Sequence, residues 1–404
     1  MNKKYVATVF VLLLTALFSC VIQSSAEDAS SVVNANNQFA FELYSKYKSE
    51  TGNIFFSPYS ISTALAMTFE GAKGQTADEM QAVFHFPKDD TLRRSSFQQI
   101  YKEINKKDKP YTLKTANALW AQKDYAFLDS YFSLVKQYYG GNVTNLDFKT
   151  KTEESRLTIN RWVEKQTNNK IKDLIPIGAL NSMTRMVLTN AIYFKGMWVK
   201  QFDKADTREK DFKVSAEKKV KAKMMSLSGK EAKFNYAETG DLQVLELPYK
   251  GEELSMLILL PKEGGMAALE ASLNAQEISK LRNSLDEERV EVHLPKFKFE
   301  TKYFIAEDLK GMGMPTAFSP ESADFSGMTG KKDLYIDSVI HQAFVEVNEE
   351  GTEAAAATGI TMGITSIAIP KFKIFNADHP FIFVIQGRAT GNILFLGRVN
   401  DPSA

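Results

Sequence analysis

From Glu349 to Ser366 the chain reads EEGTEAAAATGITMGITS. After two glutamates, its first half is nearly free of bulky side chains: Gly351, Thr352, then Ala354, Ala355, Ala356 and Ala357. Its second half is β-branched and punctuated by glycine, with no charge from Ala354 to Ile369. Alanine is the best helix former, so a helix is locally credible. As a strand, the segment puts Thr352, Ala354, Ala356 and Thr358 on one face, and Glu353, Ala355 and Ala357 on the other. Small uncharged residues on the first face could slide between two existing strands without a clash or a stranded charge. A surface loop is the third reading of these residues taken alone.

The preceding AFVEV (Ala343–Val347) has the pattern of a strand already in a sheet. Further strands are expected on both sides of it. SMLILLP (Ser255–Pro261) is a short apolar run, as for a strand covered on both faces. In VEVHLPKFKFE the apolar positions Val290, Val292 and Leu294 change parity to Phe297 and Phe299, which predicts a bulge at Leu294-Pro295. PFIFVI and ILFLGRV, separated by QGRATGN, predict two buried strands joined by a turn. Helices are expected earlier. Phe39–Tyr47 is amphipathic, and Ser57-Pro58 supplies an N-cap and a first-turn proline for a helix carrying Ile61, Leu65 and Phe69. Early helices and late strands predict an α+β architecture. No Gly/Ser- or Pro-rich linker interrupts residues 27–404, so that stretch is expected to form one domain despite its length.

The first 26 residues read as an export leader. Lys3-Lys4 precede an uncharged run to Ile22. Ser24-Ser25-Ala26 suits cleavage before Glu27, Leu17–Cys20 resembles a bacterial lipobox with Cys20 as the lipid-bearing residue, and an uncleaved anchor is the third route. Secretion and lipid anchorage at the cell surface both follow from this stretch. The remainder has no cysteine, so no disulfide is expected in it. It carries 48 basic against 49 acidic residues, a balance that points to neither nucleic acid nor an acidic membrane. Around Leu92–Lys109, Arg93, Arg94 and four lysines are diluted by Asp89, Asp90, Glu103 and Asp108, which favours a solvated helix face over a polyanion site.

Local enzyme signatures are missing: G-x-S-x-G, H-E-x-x-H, the P-loop and G-x-G-x-x-G do not occur. His85, His293, His341 and His379 are scattered without metal-ligand spacing. No cofactor or metal is expected. A Ser–His–Asp triad stays open, because its members need not be neighbours in sequence.

VNEEGTEAAAAT (Val347–Thr358) resembles the hinge of inhibitory serpins, and FNADHPFIFVI (Phe375–Ile385) resembles that family's C-terminal signature. LTNAIYFKGMWVKQFD (Leu188–Asp203), NIFFSPYSISTALAM (Asn53–Met67) and ADFSGM (Ala323–Met328) fall in family order. The resemblance implies a serpin fold of three β-sheets and eight or nine helices, with an exposed reactive loop and a monomeric state. It implies a suicide-substrate inhibitor: a target protease acylates the loop, the loop inserts into the main sheet, and the covalent complex is trapped. The rival within the family is a non-inhibitory carrier or chaperone, whose hinge usually bears bulky or charged residues that this one lacks.

The same resemblance assigns sites. Counting from the hinge glutamate Glu349 puts the reactive bond between Thr365 and Ser366, with Ile364 and Met362 as register alternatives. Ser57, Ser60, Asn190 and His341 match a polar cluster beneath the point where the sheet opens. Trp198 matches the aromatic at the top of that sheet, and Lys296 the partner of Glu349. Thr365 suits elastase-like or subtilisin-like serine proteases, and Ile364 leaves papain-like cysteine proteases open. Asn142-Val143-Thr144 is a glycosylation sequon.

Overall fold

The computed structural model describes residues 30–106, 108–352 and 372–404. The leader with Cys20, the hinge residues Ala354–Thr358, and Met362, Ile364, Thr365 and Ser366 lie outside the described residues.

A six-stranded sheet and a ten-stranded one organise the chain. The six-stranded sheet runs Phe297–Phe304, Ser338–Asn348, Gly351–Thr352, Met186–Met197, Tyr111–Gln122, Asn142–Leu146. In the larger assembly the strand Asp286–Pro295 is shared. Its first half pairs with Lys233–Glu238, while Val292–Pro295 pairs with Lys219–Leu227. That sharing divides the assembly into two sheets joined by one strand, so three sheets are present, together with ten α-helices among the described residues.

Several local expectations hold for the reasons given. Ser57 caps the helix Pro58–Phe69 by accepting the Ser60 N–H, with proline at its first position. Phe381–Gly387 and Ile393–Val399 pair antiparallel, and nearly every residue in them is buried. The first helix is longer than expected and covers 30–47 among the described residues.

The bulge at Leu294-Pro295 is a correction. The chain leaves one sheet at Pro295 and enters the six-stranded sheet at Phe297, with the Lys296 N–H donating to the Lys223 carbonyl at 2.8 Å. A change of sheet reverses side-chain parity as a bulge does, so Val290, Val292 and Leu294 are buried in one sheet and Phe297 in the next.

Both faces of the six-stranded sheet are covered. The helix Thr152–Gln166 lies on one, closing a satellite core that includes Trp120, Ile159, Val163, Val187, Tyr193 and Ile340. The helix Pro58–Phe69, buried along almost its whole length, runs under the other.

The solvated basic face is also corrected, at Arg93 and Arg94. The helix Asp90–Ile104 turns Arg93 inward with Ser96, Phe97 and Ile100. Arg93 and Arg94 both pair with the carboxylate of Glu70, at 3.0 and 2.7 Å, and the side chains of Arg93 and Glu70 are 2% and 1% exposed. Glu70→Ala would leave the buried Arg93 guanidinium with Asp90, at 2.8 Å and mostly exposed, as its remaining carboxylate partner, and removing one member of a buried pair typically costs about 3–5 kcal/mol. Asp90 is mostly exposed, and Asp90→Ala should cost no more than about 1 kcal/mol. Urea unfolding midpoints of the two variants check the contrast.

Candidate functional site

The two central strands of the six-stranded sheet, Ser338–Asn348 and Met186–Met197, pair in parallel over seven residue pairs, from Ser338–Val187 to Phe344–Tyr193. Above that point they no longer meet. Gly351 and Thr352 sit between them, antiparallel to both: Thr352 lies opposite Val347 and Gly196, and Gly351 opposite Asn348 and Met197. The first hinge residues are therefore already inside the sheet, and Thr352 is 1% exposed.

Close approach selects glycine at this wedge. A Cβ on Gly351 would lie 2.0 Å from the Gly196 carbonyl oxygen and 2.7 Å from the Met197 Cα. The Thr352 hydroxyl meets the Tyr249 hydroxyl at 2.7 Å, and the Tyr249 ring stacks on Trp198 at 4.6 Å. Trp198 ties the wedge from both sides. Its indole N–H donates to the Asn348 carbonyl at 3.1 Å, and its backbone N–H donates to the Glu350 carbonyl at 2.8 Å.

Two ion pairs brace the turn. Lys296 donates to both carboxylate oxygens of Glu349, at 3.0 and 2.8 Å, and the Thr207 hydroxyl donates to Oε1 at 2.8 Å. Lys204 pairs with Glu350 at 2.6 Å. Burial opposes ionisation of Glu349, but the hydrogen bonds from Lys296, its own backbone and Thr207 outweigh it and hold the carboxyl below the usual range.

A second cluster lies where the two strands do pair. His341 and Asn190 are opposite each other in the parallel ladder, and His341 Nδ1 meets Asn190 Oδ1. The Ser57 N–H donates to His341 Nε2 at 3.0 Å, so Nδ1 carries the proton and donates it to Asn190. The Asn190 amide donates to Ser60 Oγ at 2.6 Å and to Asn117 Oδ1 at 2.5 Å. Ser60 Oγ donates to Asn117 Oδ1 at 3.0 Å, and Ser57 Oγ donates to the Leu394 carbonyl at 2.6 Å. Burial pushes the His341 pKa down to about 3, so the ring is neutral.

A family model described as Serpin (serine protease inhibitor) matches residues 34–402. The chain belongs to the serpin family. Membership makes protease inhibition, not catalysis, its coarse function. An uncharacterized serpin-like protein of Thermococcus kodakarensis is 45% identical over 373 residues, covering 92% of this chain and 86% of its own. Leukocyte elastase inhibitor A of Rattus norvegicus is 43% identical, covering 91% and 99%. Among solved structures, uncleaved ovalbumin superposes with a TM-score of 0.83 at 33% identity, covering 92% of this chain and all of its own. Human thyroxine-binding globulin complexed with thyroxine gives 0.84 at 32% identity, covering 93% of this chain and 99% of its own.

The serpin sites expected from sequence are gathered in two places wherever they are described. Trp198, Lys296, Glu349, Gly351 and Thr352 meet at the top of the seam, and Ser57, Ser60, Asn190 and His341 in its middle. Asn117 was missed. It stands opposite Asn190 on the strand Tyr111–Gln122, and only that pairing reveals it. Tyr249, Lys204 and Thr207 were missed at the top for the same reason, each coming from a distant segment. Among the described residues no group of three or more His, Cys, Asp or Glu is placed to hold a metal ion.

The neutral, buried His341 predicts that this serpin loses stability in acid. Its folded pKa is depressed, so the unfolded chain takes up a proton near the ordinary value of about 6.5 while the folded chain does not. The histidine's contribution is therefore complete above pH 6.5 and declines as pH falls toward 3. Thermal melts of the parent should lose stability from pH 7 to pH 4.5. His341→Asn should melt lower at pH 7 but show a smaller loss over that interval; an equal loss in both would exclude His341 as the source.

Proposed function

We propose that this serpin inhibits by consuming itself. A target protease attacks the carbonyl of Thr365, the acyl-enzyme forms, and Ser366 becomes the new amino terminus. The freed segment then enters the six-stranded sheet between Met186–Met197 and Ser338–Asn348, carrying the enzyme with it. Deacylation needs the enzyme's base and oxyanion donors in place, and distortion of that arrangement leaves the acyl bond intact.

The observation that supports this reading is the wedge. Gly351 and Thr352 occupy the seam in the direction an inserting strand would follow. The Thr352 hydroxyl points to Tyr249 in the core. On insertion, alternation would turn Ala354, Ala356 and Thr358 to the same inner side. Those small residues suit a space that already holds the side chains of both neighbouring strands. Insertion would exchange one parallel ladder for two antiparallel ones, which are slightly more stable per residue, and add backbone hydrogen bonds worth about 1 kcal/mol each.

Small, β-branched Thr365 favours elastase-like or subtilisin-like targets; with no Lys or Arg from Ala354 to Ile369, a trypsin-like pocket would keep its acid unpaired. Papain-like enzymes enter through Ile364, and chymotrypsin-like ones if Ile364 or Met362 is the bait. Export, or lipid attachment at Cys20, would bring the inhibitor to proteases outside the cell, and the composition of residues 1–26 is what supports that.

Incubation with a protease panel should yield a denaturant-resistant band with an elastase- or subtilisin-type enzyme and none with trypsin, and the released peptide should begin at Ser366. A peptide beginning at Phe372 with trypsin strongly inhibited would overturn both bond and target class. Thr352→Arg would force a guanidinium into the core beside Tyr249, at a cost of several kcal/mol. Insertion should slow and the variant should be cleaved as an ordinary substrate. If Thr352→Arg forms covalent complex as efficiently as the parent, the insertion reading fails; a parent that traps no protease at all would leave a carrier role on the same fold.

A further inference from the structure

The strand Lys373–Asn376 begins seven residues after Ser366 and pairs in parallel with Val290–His293 of the shared strand. Its Phe375 is buried, but Phe372 and Ile374 are 40% and 54% exposed. Two residues apart along an extended chain, they face the same way. Single exposed apolar side chains are ordinary on a protein surface; these two come with a further feature. The Arg289 guanidinium lies over the Phe372 ring, 5.7 Å from its centroid, and its Nε donates to the Gly229 carbonyl at 3.0 Å. Among the described residues no carboxylate pairs with Arg289.

The charge that could shield this strand is turned away. Apolar edge strands are commonly blunted by lysine, yet Lys373 pairs with Glu238 at 3.0 Å and lies over the Tyr236 ring. The patch that remains is apolar, cationic at one side, and close in sequence to the reactive bond. Six residue steps separate Ser366 from Phe372, and an extended chain covers at most about 3.3–3.6 Å per step, roughly 20 Å in all. A protease domain is roughly 40 Å across. An enzyme gripping Thr365 and Ser366 therefore has its surface beyond the cleft within reach of Phe372, Ile374 and Arg289.

We propose that Phe372, Ile374 and Arg289 form a docking surface for the target protease, fitting an apolar patch that carries a carboxylate on the primed side of its cleft. The proposal rests on the inhibitory reading above and adds to it a determinant of target choice outside the reactive loop. A desolvated aromatic with a paired arginine is the kind of contact that dominates protein interfaces. Here it acts on encounter and docking, not on the later movement of the loop.

The test uses whichever panel enzyme the parent inhibits fastest. Two quantities are measured: the second-order rate constant for covalent complex formation, and the Kd for the same enzyme with its catalytic nucleophile replaced by alanine. For Phe372→Ser combined with Ile374→Ser, both should worsen about tenfold, equivalent to about 1.4 kcal/mol of docking energy. Arg289→Glu should weaken both on its own, and it decides the matter if the double variant melts early. Stoichiometry of inhibition should not change, and a synthetic peptide spanning 359–370 should be cleaved at one rate whatever the inhibitor variant. Rate constants and Kd within twofold of the parent would overturn the docking surface while leaving inhibition standing. A raised stoichiometry with unchanged Kd would also overturn it, since the residues would then be acting on insertion. If the parent traps no protease at all, the inhibitory reading falls and this proposal falls with it.

Discussion

The seam between Ser338–Asn348 and Met186–Met197 is the constraint on which the rest of the structure depends. Two long central strands that could pair from end to end do so for only seven residue pairs. Their upper ends are held apart by two residues of the hinge, and the fit there is close enough that a single methyl on Gly351 would strike the Gly196 carbonyl. Every other feature of the site either keeps the lower part of the seam shut or holds its upper part in register. The helix Thr152–Gln166 on one face and Pro58–Phe69 on the other fix the strands from both sides.

The middle of the seam is closed by a polar network where apolar side chains would have been the simpler choice. Ser57, Ser60, Asn117, Asn190 and His341 are buried together, and a partly satisfied network at this depth is more expensive than a hydrocarbon core. The consequence is register. Leucines on either strand could pack in several alignments, whereas the His341–Asn190 contact requires one ring tautomer, one amide orientation and one residue pairing. A network of this kind holds firmly while all its partners are present and loosens sharply once one of them is displaced.

The parts of this arrangement visible in the sequence are those that local chemistry dictates. Ser57-Pro58 announces a helix start, and the apolar runs ending at Ile385 and Val399 announce buried strands, because each signal is complete within a few residues. The change of sheet at Lys296 was misread as a bulge because both events reverse parity, and parity is all that one strand reveals. Arg93 was misread because its helix interleaves Ser96 with Phe97 and Ile100, which leaves a weak apolar stripe and makes an inward arginine look solvated. Asn117 gave no signal at all. Its partners Ser60 and Asn190 lie 57 and 73 residues away, and only strand pairing brings them together. The hinge stood out for the opposite reason, since a long chargeless run of small residues is rare enough to demand an explanation by itself.

The two glutamates that open the hinge then acquire distinct tasks from their surroundings. Glu349 reaches Lys296, which leads into the strand flanking Ser338–Asn348, and also Thr207, in the segment that follows Met186–Met197. One carboxylate thus spans the two sides that the wedge separates. Glu350 reaches Lys204 on the Met186–Met197 side alone. With Glu349 braced across the opening and Glu350 tied to one bank, the turn through Asn348 to Gly351 is fixed in direction before Thr352 enters the sheet. The order of residues follows from that geometry. Charges come first, where they can still reach surface lysines, and glycine next, where two backbones nearly touch, before Thr352 passes between the strands.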